Sequence, residues 1–324
     1  MPNLRLSFAC NPYDRIEALS NGTVRPEGID LDVTLIRSPR EIFDRMVLNR
    51  EFDMAELSAS EFITLSAEAE NPFVALPVFP SKVFRHGFII VGAKSGITKA
   101  EELAGKRIGV PLYAQTAAIW IRGLLADDYG VDLSTITWVQ GAIDQAGSHG
   151  EERAPPQIPG VRIEPNPGRS LDAMLASGEI DAYIGPQVPK SVRTGEALRL
   201  FPDYHAREQD YFRRTRIHPI MHLVAIRRDV FERDPWIAEP LYRAFVAAKD
   251  RAWANLAHTG ANGCMLPFVY AHVEETRALM GEDPWPYGVE GNLPTLTALT
   301  RYMHLQGLCS RHFDPQALFV PAGT

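Results

Sequence analysis

Ile97-Thr-Lys-Ala-Glu-Glu-Leu-Ala-Gly-Lys-Arg-Ile-Gly-Val110 is the stretch where the pattern of the chain starts over. Residues 98–103 predict a short helix, Gly105 turns the chain, and 105–110 lead into a strand. A helix over 116–128 follows, so a new β-α succession opens inside the chain. Upstream, residues 4–9 alternate as a strand, and 14–20 form a helix closed by the turn signal Asn21-Gly22. Residues 29–36 alternate again. Ser38-Pro39 then starts a helix running to about residue 50, with proline at its first position. A short strand over 52–57 and a helix over 58–69 lead to two apolar runs, 73–78 and 88–91, suited to buried strands.

Downstream of the restart come a strand at 136–139, a loop rich in Gly, Pro and charge over 141–168, and a strand at 161–164. A helix at 170–177 and a strand at 180–184 complete that region. A linker leads to a strand over 218–227, a long amphipathic helix over 235–257, and a tail over 274–307 that is helical except around 283–291. Strands alternating with helices predict open α/β sheets. The C-terminal segment has no complete β-α repeat of its own. The expected architecture is therefore a discontinuous lobe I, 1–92 plus 205–324, and an inserted lobe II, 93–204. Two crossing strands act as a hinge, with a ligand cleft between the lobes at the carboxyl ends of strands.

Composition narrows the function. Of 324 residues, 45% are hydrophobic, and 33 basic against 40 acidic side chains leave a net charge of −7, so there is no basic footprint for nucleic acid. No apolar run is long enough to span a membrane. The N-terminus lacks a basic segment followed by an apolar core, and Arg5 interrupts the short apolar stretch before Cys10. Read with Met1 as the start, the expected location is cytoplasmic. Cys10, Cys264 and Cys309 are too few and too widely spaced for a disulfide framework or a metal site. No phosphate-binding glycine loop, dinucleotide fingerprint, His-Glu-x-x-His or Gly-x-Ser-x-Gly occurs.

Several phrases carry a resemblance: Gly28-Ile-Asp-Leu-Asp32, Phe52-Asp-Met-Ala-Glu-Leu-Ser58, Phe84-Arg-His86, Leu171-Asp-Ala-Met-Leu-Ala-Ser-Gly-Glu-Ile-Asp181, Pro219-Ile-Met-His222 and Asp283-Pro-Trp-Pro-Tyr-Gly288. With these the chain resembles the 4,5-dihydroxyphthalate decarboxylase family over almost its whole length. The resemblance implies a two-lobe α/β fold like that of type II periplasmic solute-binding proteins. It also implies a cytoplasmic carboxy-lyase that turns 4,5-dihydroxyphthalate into 3,4-dihydroxybenzoate and carbon dioxide. Two departures stand out. The chain reads Thr215-Arg-Ile-His-Pro-Ile-Met-His222 where the family often has Gly and Phe at the second and fourth places. It has Pro186-Gln187 where the family often has Arg.

Such a reaction needs an acid near the ring carbon that loses carbon dioxide, groups that hold carboxylates, and surroundings that favour a phenolate para to the leaving carboxylate. Histidine suits the acid role. His86 is the first choice, beside Arg85, whose guanidinium suits a bidentate grip on a carboxylate. His222 and His218 lie four apart on the expected strand, so they share a face about 13 Å apart, too far for one metal on a straight strand. His222 is a second acid–base candidate and His218 a binding candidate. Glu56 and Ser58 end a strand at the cleft, with Glu56 a base for the phenol. Tyr13 follows the first strand and suits contact with a ring. Gln115-Thr116 opens a helix whose free N–H groups suit an anion. Trp285 and Tyr287 are expected in a rigid turn against the core. No cofactor is required by this chemistry. A divalent metal held by His86, His222 and Glu56 would bind catechol oxygens, and the residue types alone do not assemble it. The partner is expected to be a small aromatic carboxylate, and self-association is left open. Two rival readings are a non-catalytic solute-binding protein for a carboxylated ligand and an enzyme of the same fold with other chemistry.

Overall fold

The computed structural model describes residues 2–68, 70–150, 156–166 and 168–323. Among the described residues, eleven strands fall into two sheets. They are β1 (Leu4–Cys10), β2 (Ile29–Leu35), β3 (Met54–Ser58), β4 (Phe73–Lys82), β5 (Ile89–Gly92), β6 (Arg107–Val110), β7 (Thr137–Gln140), β8 (Arg162–Pro165), β9 (Ala182–Ile184), β10 (Ala197–Arg199) and β11 (Ile220–Arg227). The first sheet has the order β2-β1-β3-β11-β4, and the second β10-β5-β9-β6-β7-β8. In the first, β1 runs parallel to β2 and β3, while β11 returns antiparallel between β3 and β4. The restart read at residue 97 is real, since β6, β7, β8 and β9 run parallel in the second sheet.

The crossings are displaced from the expected boundaries. β5 pairs with β9 and β10, so the chain has entered the second sheet before residue 92. The expected linker contains a helix, Tyr204–Thr215, which places Tyr211 in the second core. The two passages between sheets thus occupy 83–88 and 200–219. Residue 218 also falls outside its predicted strand. Pro219 has no N–H to give to a ladder, and β11 starts at Ile220 with register shifts on both sides of His222.

One helix joins the two halves. In Thr116–Tyr129, residues 116–125 are all buried, and a helix apolar on every side must be enclosed. Its Ala117, Ile119 and Trp120 pack in the first core, and its Ala118, Ile121, Leu124 and Leu125 in the second. Trp120 donates its indole N–H to the Ile220 carbonyl at 2.8 Å. No described helix is long and apolar enough to cross a membrane.

Candidate active site

Between the sheets lies a cleft of about 930 Å³, lined from the first lobe by Tyr13, Ser58, Ser81 and His222, and from the second by Gln115 and Thr116. Strand register explains its central contact. β11 and β3 are antiparallel, with His222 opposite Ser58 and Val224 opposite Glu56. Glu56 and His222 are therefore diagonal neighbours on one face, within reach of long side chains. His222 Nδ1 lies 2.5 Å from Glu56 Oε1.

Glu56 has no solvent exposure and is held on all sides. Tyr13 donates its hydroxyl to Oε1 at 2.6 Å, while the Asn11 N–H and the Cys10 thiol donate to Oε2 at 2.9 and 3.3 Å. Burial works against the charge of Glu56. The adjacent His222 and the hydrogen bonds from His222, Tyr13 and Asn11 outweigh it and hold the carboxyl below its ordinary range. Burial and the Glu56 charge push the Tyr13 phenol and the Cys10 thiol well above their ordinary values, so both remain neutral donors. Since an ionised carboxylate only accepts, the shared proton sits on His222 Nδ1. Nε2 takes no partner among the described residues, and the ring, packed edge-on to Phe43 at 4.9 Å, lines the cleft. Glu56 itself does not line the cleft. The base role expected for it at a phenol is not served by this geometry, because the carboxylate stands behind the imidazole.

Arg85 enters the cleft beside this pair. Its Nε donates to the sulfur of Met221, the residue before His222, at 3.3 Å, and its guanidinium stacks over Phe88 at 4.7 Å. Only a long contact to the Pro186 carbonyl at 3.4 Å adds to this, and it forms no ion pair among the described residues. Burial lowers its pKa to about 10, which still leaves a full positive charge at neutral pH. A buried cation without a counter-ion costs several kcal/mol unless a ligand supplies the charge.

Ser58 and Thr116 share a hydrogen bond of 2.9 Å across the cleft floor, and the Ser60 N–H donates to Thr116 Oγ1 at 3.1 Å. Gln115 caps no backbone group, and its Oε1 is buried without a partner. The Gln115-Thr116 helix end therefore stands where it was expected, with its first amides beside the cleft.

Two histidines stand elsewhere. His86 is 2% exposed and faces a small apolar space bounded by Phe84, Trp120, Leu124 and Tyr211, outside the cleft lining. Its ring lies 5.4 Å from Tyr211, its Nδ1 is unpartnered, and burial lowers its pKa to about 4. The cause is local: His86 opens a tight turn over 86–88 and is enclosed there, while Arg85 borders both that small space and the cleft. His218 is half-buried, stacked on Phe84 at 4.7 Å and edge-on to Trp285 at 5.2 Å. Burial and the charge of Lys82 push its pKa well below the ordinary value. His86, His222 and Glu56 are thus not gathered as one set of metal ligands. Among the described residues, no group of three His, Cys, Asp or Glu side chains could hold a metal ion.

Cys10 and Asn11 were missed as site residues. The signal for them was positional, because Cys10 ends and Asn11 follows a strand whose carboxyl end this topology turns to the cleft.

No family model matches the chain. It is 37% identical over 326 residues to the 4,5-dihydroxyphthalate decarboxylase of Comamonas testosteroni, covering 99% of this chain and 98% of that one. It is 38% identical over 217 residues to the enzyme of the same name from Pseudomonas putida, covering 66% of this chain and 83% of that one. Among solved structures, the periplasmic sulfonate-binding protein SsuA of Methylobacillus flagellatus superposes with a TM-score of 0.54 at 15% identity, covering 99% of this chain and 92% of that one. The alkanesulfonate-binding protein SsuA of Xanthomonas axonopodis pv. citri, bound to MOPS, gives 0.53 at 13% identity, covering 100% and 99%. These two show the fold alone, a two-lobe periplasmic-binding-protein-like α/β architecture. The match along nearly the full length of both chains shows more: the chain belongs to the 4,5-dihydroxyphthalate decarboxylase family.

Proposed function

We propose that the chain is a carboxy-lyase acting on a hydroxylated aromatic dicarboxylate, converting 4,5-dihydroxyphthalate into 3,4-dihydroxybenzoate and carbon dioxide. The observation that carries this reading is the cleft that holds both an unpaired guanidinium, on Arg85, and an imidazole backed by a buried carboxylate, His222 with Glu56.

The roles follow from where charge moves. A cation on the departing carboxylate would stabilise a charge that disappears as carbon dioxide forms, and so would slow the reaction. Arg85 therefore fits the retained carboxylate. The departing one lies against the apolar wall that includes Phe43 and Val83. The hydroxyl para to it loses its proton to solvent, and the resulting phenolate sends electron density to the ring carbon. His222 Nε2 delivers a proton there, and the electron pair of the breaking carbon–carbon bond restores the aromatic ring. Glu56, fixed by Tyr13 and Asn11, stabilises the imidazolium before transfer and keeps the ring oriented. No organic cofactor enters this balance.

Carbon dioxide release from 4,5-dihydroxyphthalate is the test. His222→Gln is expected to lower kcat on the order of 100-fold or more while substrate still binds. Arg85→Lys, which keeps charge without the planar fork, is expected to raise KM about tenfold. Turnover is expected to survive a chelator, given the donor set around His222. Full turnover in His222→Gln would defeat the reading. Tight binding with no release by the wild type would favour a solute-binding protein.

A further inference from the structure

The phrase Asp283-Pro-Trp-Pro-Tyr-Gly288 has so far only a packing role, yet its tryptophan reaches the site through one intermediary. Trp285 is pinned by its indole N–H, which donates to the Phe79 carbonyl at 2.8 Å. The surrounding turn is tied to β4 by Gly288 N–H to Pro77 O at 2.8 Å and by Lys82 Nζ to Pro286 O at 2.9 Å. The Arg15 guanidinium lies 4.4 Å from the Trp285 ring centre and 4.1 Å from that of Tyr13, so it is held between two aromatic rings. Its Nε donates to the Pro80 carbonyl at 2.6 Å. Neither Arg15 nor Trp285 lines the cleft. Tyr13 does, and its hydroxyl donates to Glu56.

We infer that Arg15 and Trp285 are positioning residues for the His222–Glu56 pair, acting through the ring of Tyr13. The inference rests on the reading of that pair as the acid–base centre. A cation over two ring faces gains from each only while that face stays within about 6 Å of it. Tyr13 lies in the loop between β1 and the helix Asp14–Ser20, with no strand to hold it. The stack fixes its ring against a turn anchored to β4, and the hydroxyl follows the ring. The ion pair of Arg15 with Asp14, which is half exposed, accounts for the charge but not for a guanidinium placed between two rings.

The test uses the whole chain and two readouts. The ring-nitrogen NMR shifts of His222, assigned by their loss in His222→Gln, report the proton shared with Glu56 without any substrate. Tyr13→Phe is expected to move them. Trp285→Leu and Arg15→Met are expected to move them in the same direction, and Trp285→Phe to restore part of the change. Adding Trp285→Leu to Tyr13→Phe is expected to add nothing, because the path is already cut. In turnover, Trp285→Leu is expected to lower kcat about tenfold with KM within about twofold. Wild-type shifts in folded Trp285→Leu and Arg15→Met would overturn the inference, as would a double variant whose change is the sum of the singles. Should Trp285→Leu not fold, Trp285→Phe and Arg15→Met decide by the same criteria. A wild type that binds without releasing carbon dioxide would defeat the proposed function, while the NMR series would still decide the stack.

Discussion

His86 and His222 carry the same side chain in opposite surroundings. One is enclosed by Phe84, Trp120 and Tyr211 and is held neutral by burial; the other shares a proton with an ionised carboxylate and keeps one nitrogen on the cleft. The phrase Phe84-Arg-His86 drew attention to both of its polar residues, of which Arg85 lines the cleft and His86 does not. What a tight turn encloses each of its residues against is invisible to a reading by neighbourhood. The enclosed histidine has a consequence for stability. Its pKa falls from the ordinary 6.5 to about 4 on folding, so between those values the unfolded chain binds more protons than the folded one. Its contribution is complete above about pH 6.5 and is lost as pH falls towards 4. It amounts to about 3 kcal/mol at 1.36 kcal/mol per unit. Urea unfolding at pH 7 and pH 5 should show this slope in the wild type, and His86→Phe should make it shallower. Turnover by His86→Phe at pH 7 should stay within about twofold, because the ring touches nothing in the cleft.

Among the elements, the helix Thr116–Tyr129 was legible from its start at Thr116 almost to its end. Its apolar residues, however, could not say which of two cores they serve. The answer came from neighbours distant in sequence. Gly123 lies against Tyr302, where an added Cβ would stand 2.4–2.5 Å from three ring carbons. Alanine normally gains about 1 kcal/mol over glycine inside a helix. Here Tyr302 cannot retreat, since its hydroxyl bonds Asp127 at 2.8 Å and its ring meets Trp120 edge-on at 5.6 Å. Gly123→Ala is therefore expected to destabilise the chain by about 1–3 kcal/mol, read by urea unfolding. Most of that loss should disappear in a Tyr302→Leu background. Strand β11 shows the other kind of surprise. The spacing of four suggested that His218 and His222 share a face, but Pro219 delays the strand, so His218 lies before β11 while His222 pairs within it opposite Ser58.

Across the whole molecule, the two halves are less independent than a chain that crosses twice would suggest. The shared helix spans both cores. Arg122, fully buried, donates Nε to Gln306 at 2.8 Å and Nη2 to the Tyr113 carbonyl at 2.8 Å, tying that helix to the one at Leu293–Leu305. Asp127 pairs with Arg301 in the same seam. Opening the cleft must therefore bend the passages at 83–88 and 200–219 around a fixed wedge. Hydrogen exchange tests this: amides of residues 119–125 should exchange only with global unfolding, and those of 144–150 at the cleft rim much faster. Fast exchange in the shared helix under native conditions would show that the halves separate freely.

The linear order of residues already contained the restart near residue 97, the two-lobe α/β plan, the family, and the nomination of Glu56, Arg85 and His222, of which Arg85 and His222 line the cleft and Glu56 stands behind His222. Those features depend on local periodicity and turn chemistry, which act over a few residues and survive without knowledge of packing. Which histidine meets Glu56, which is enclosed, and how Tyr13 is steadied from Trp285 depended on register between β3 and β11 and on contacts between residues more than 160 positions apart. A side chain's protonation and its access to a ligand are set by what surrounds it in space, and that is settled only when distant segments pack together.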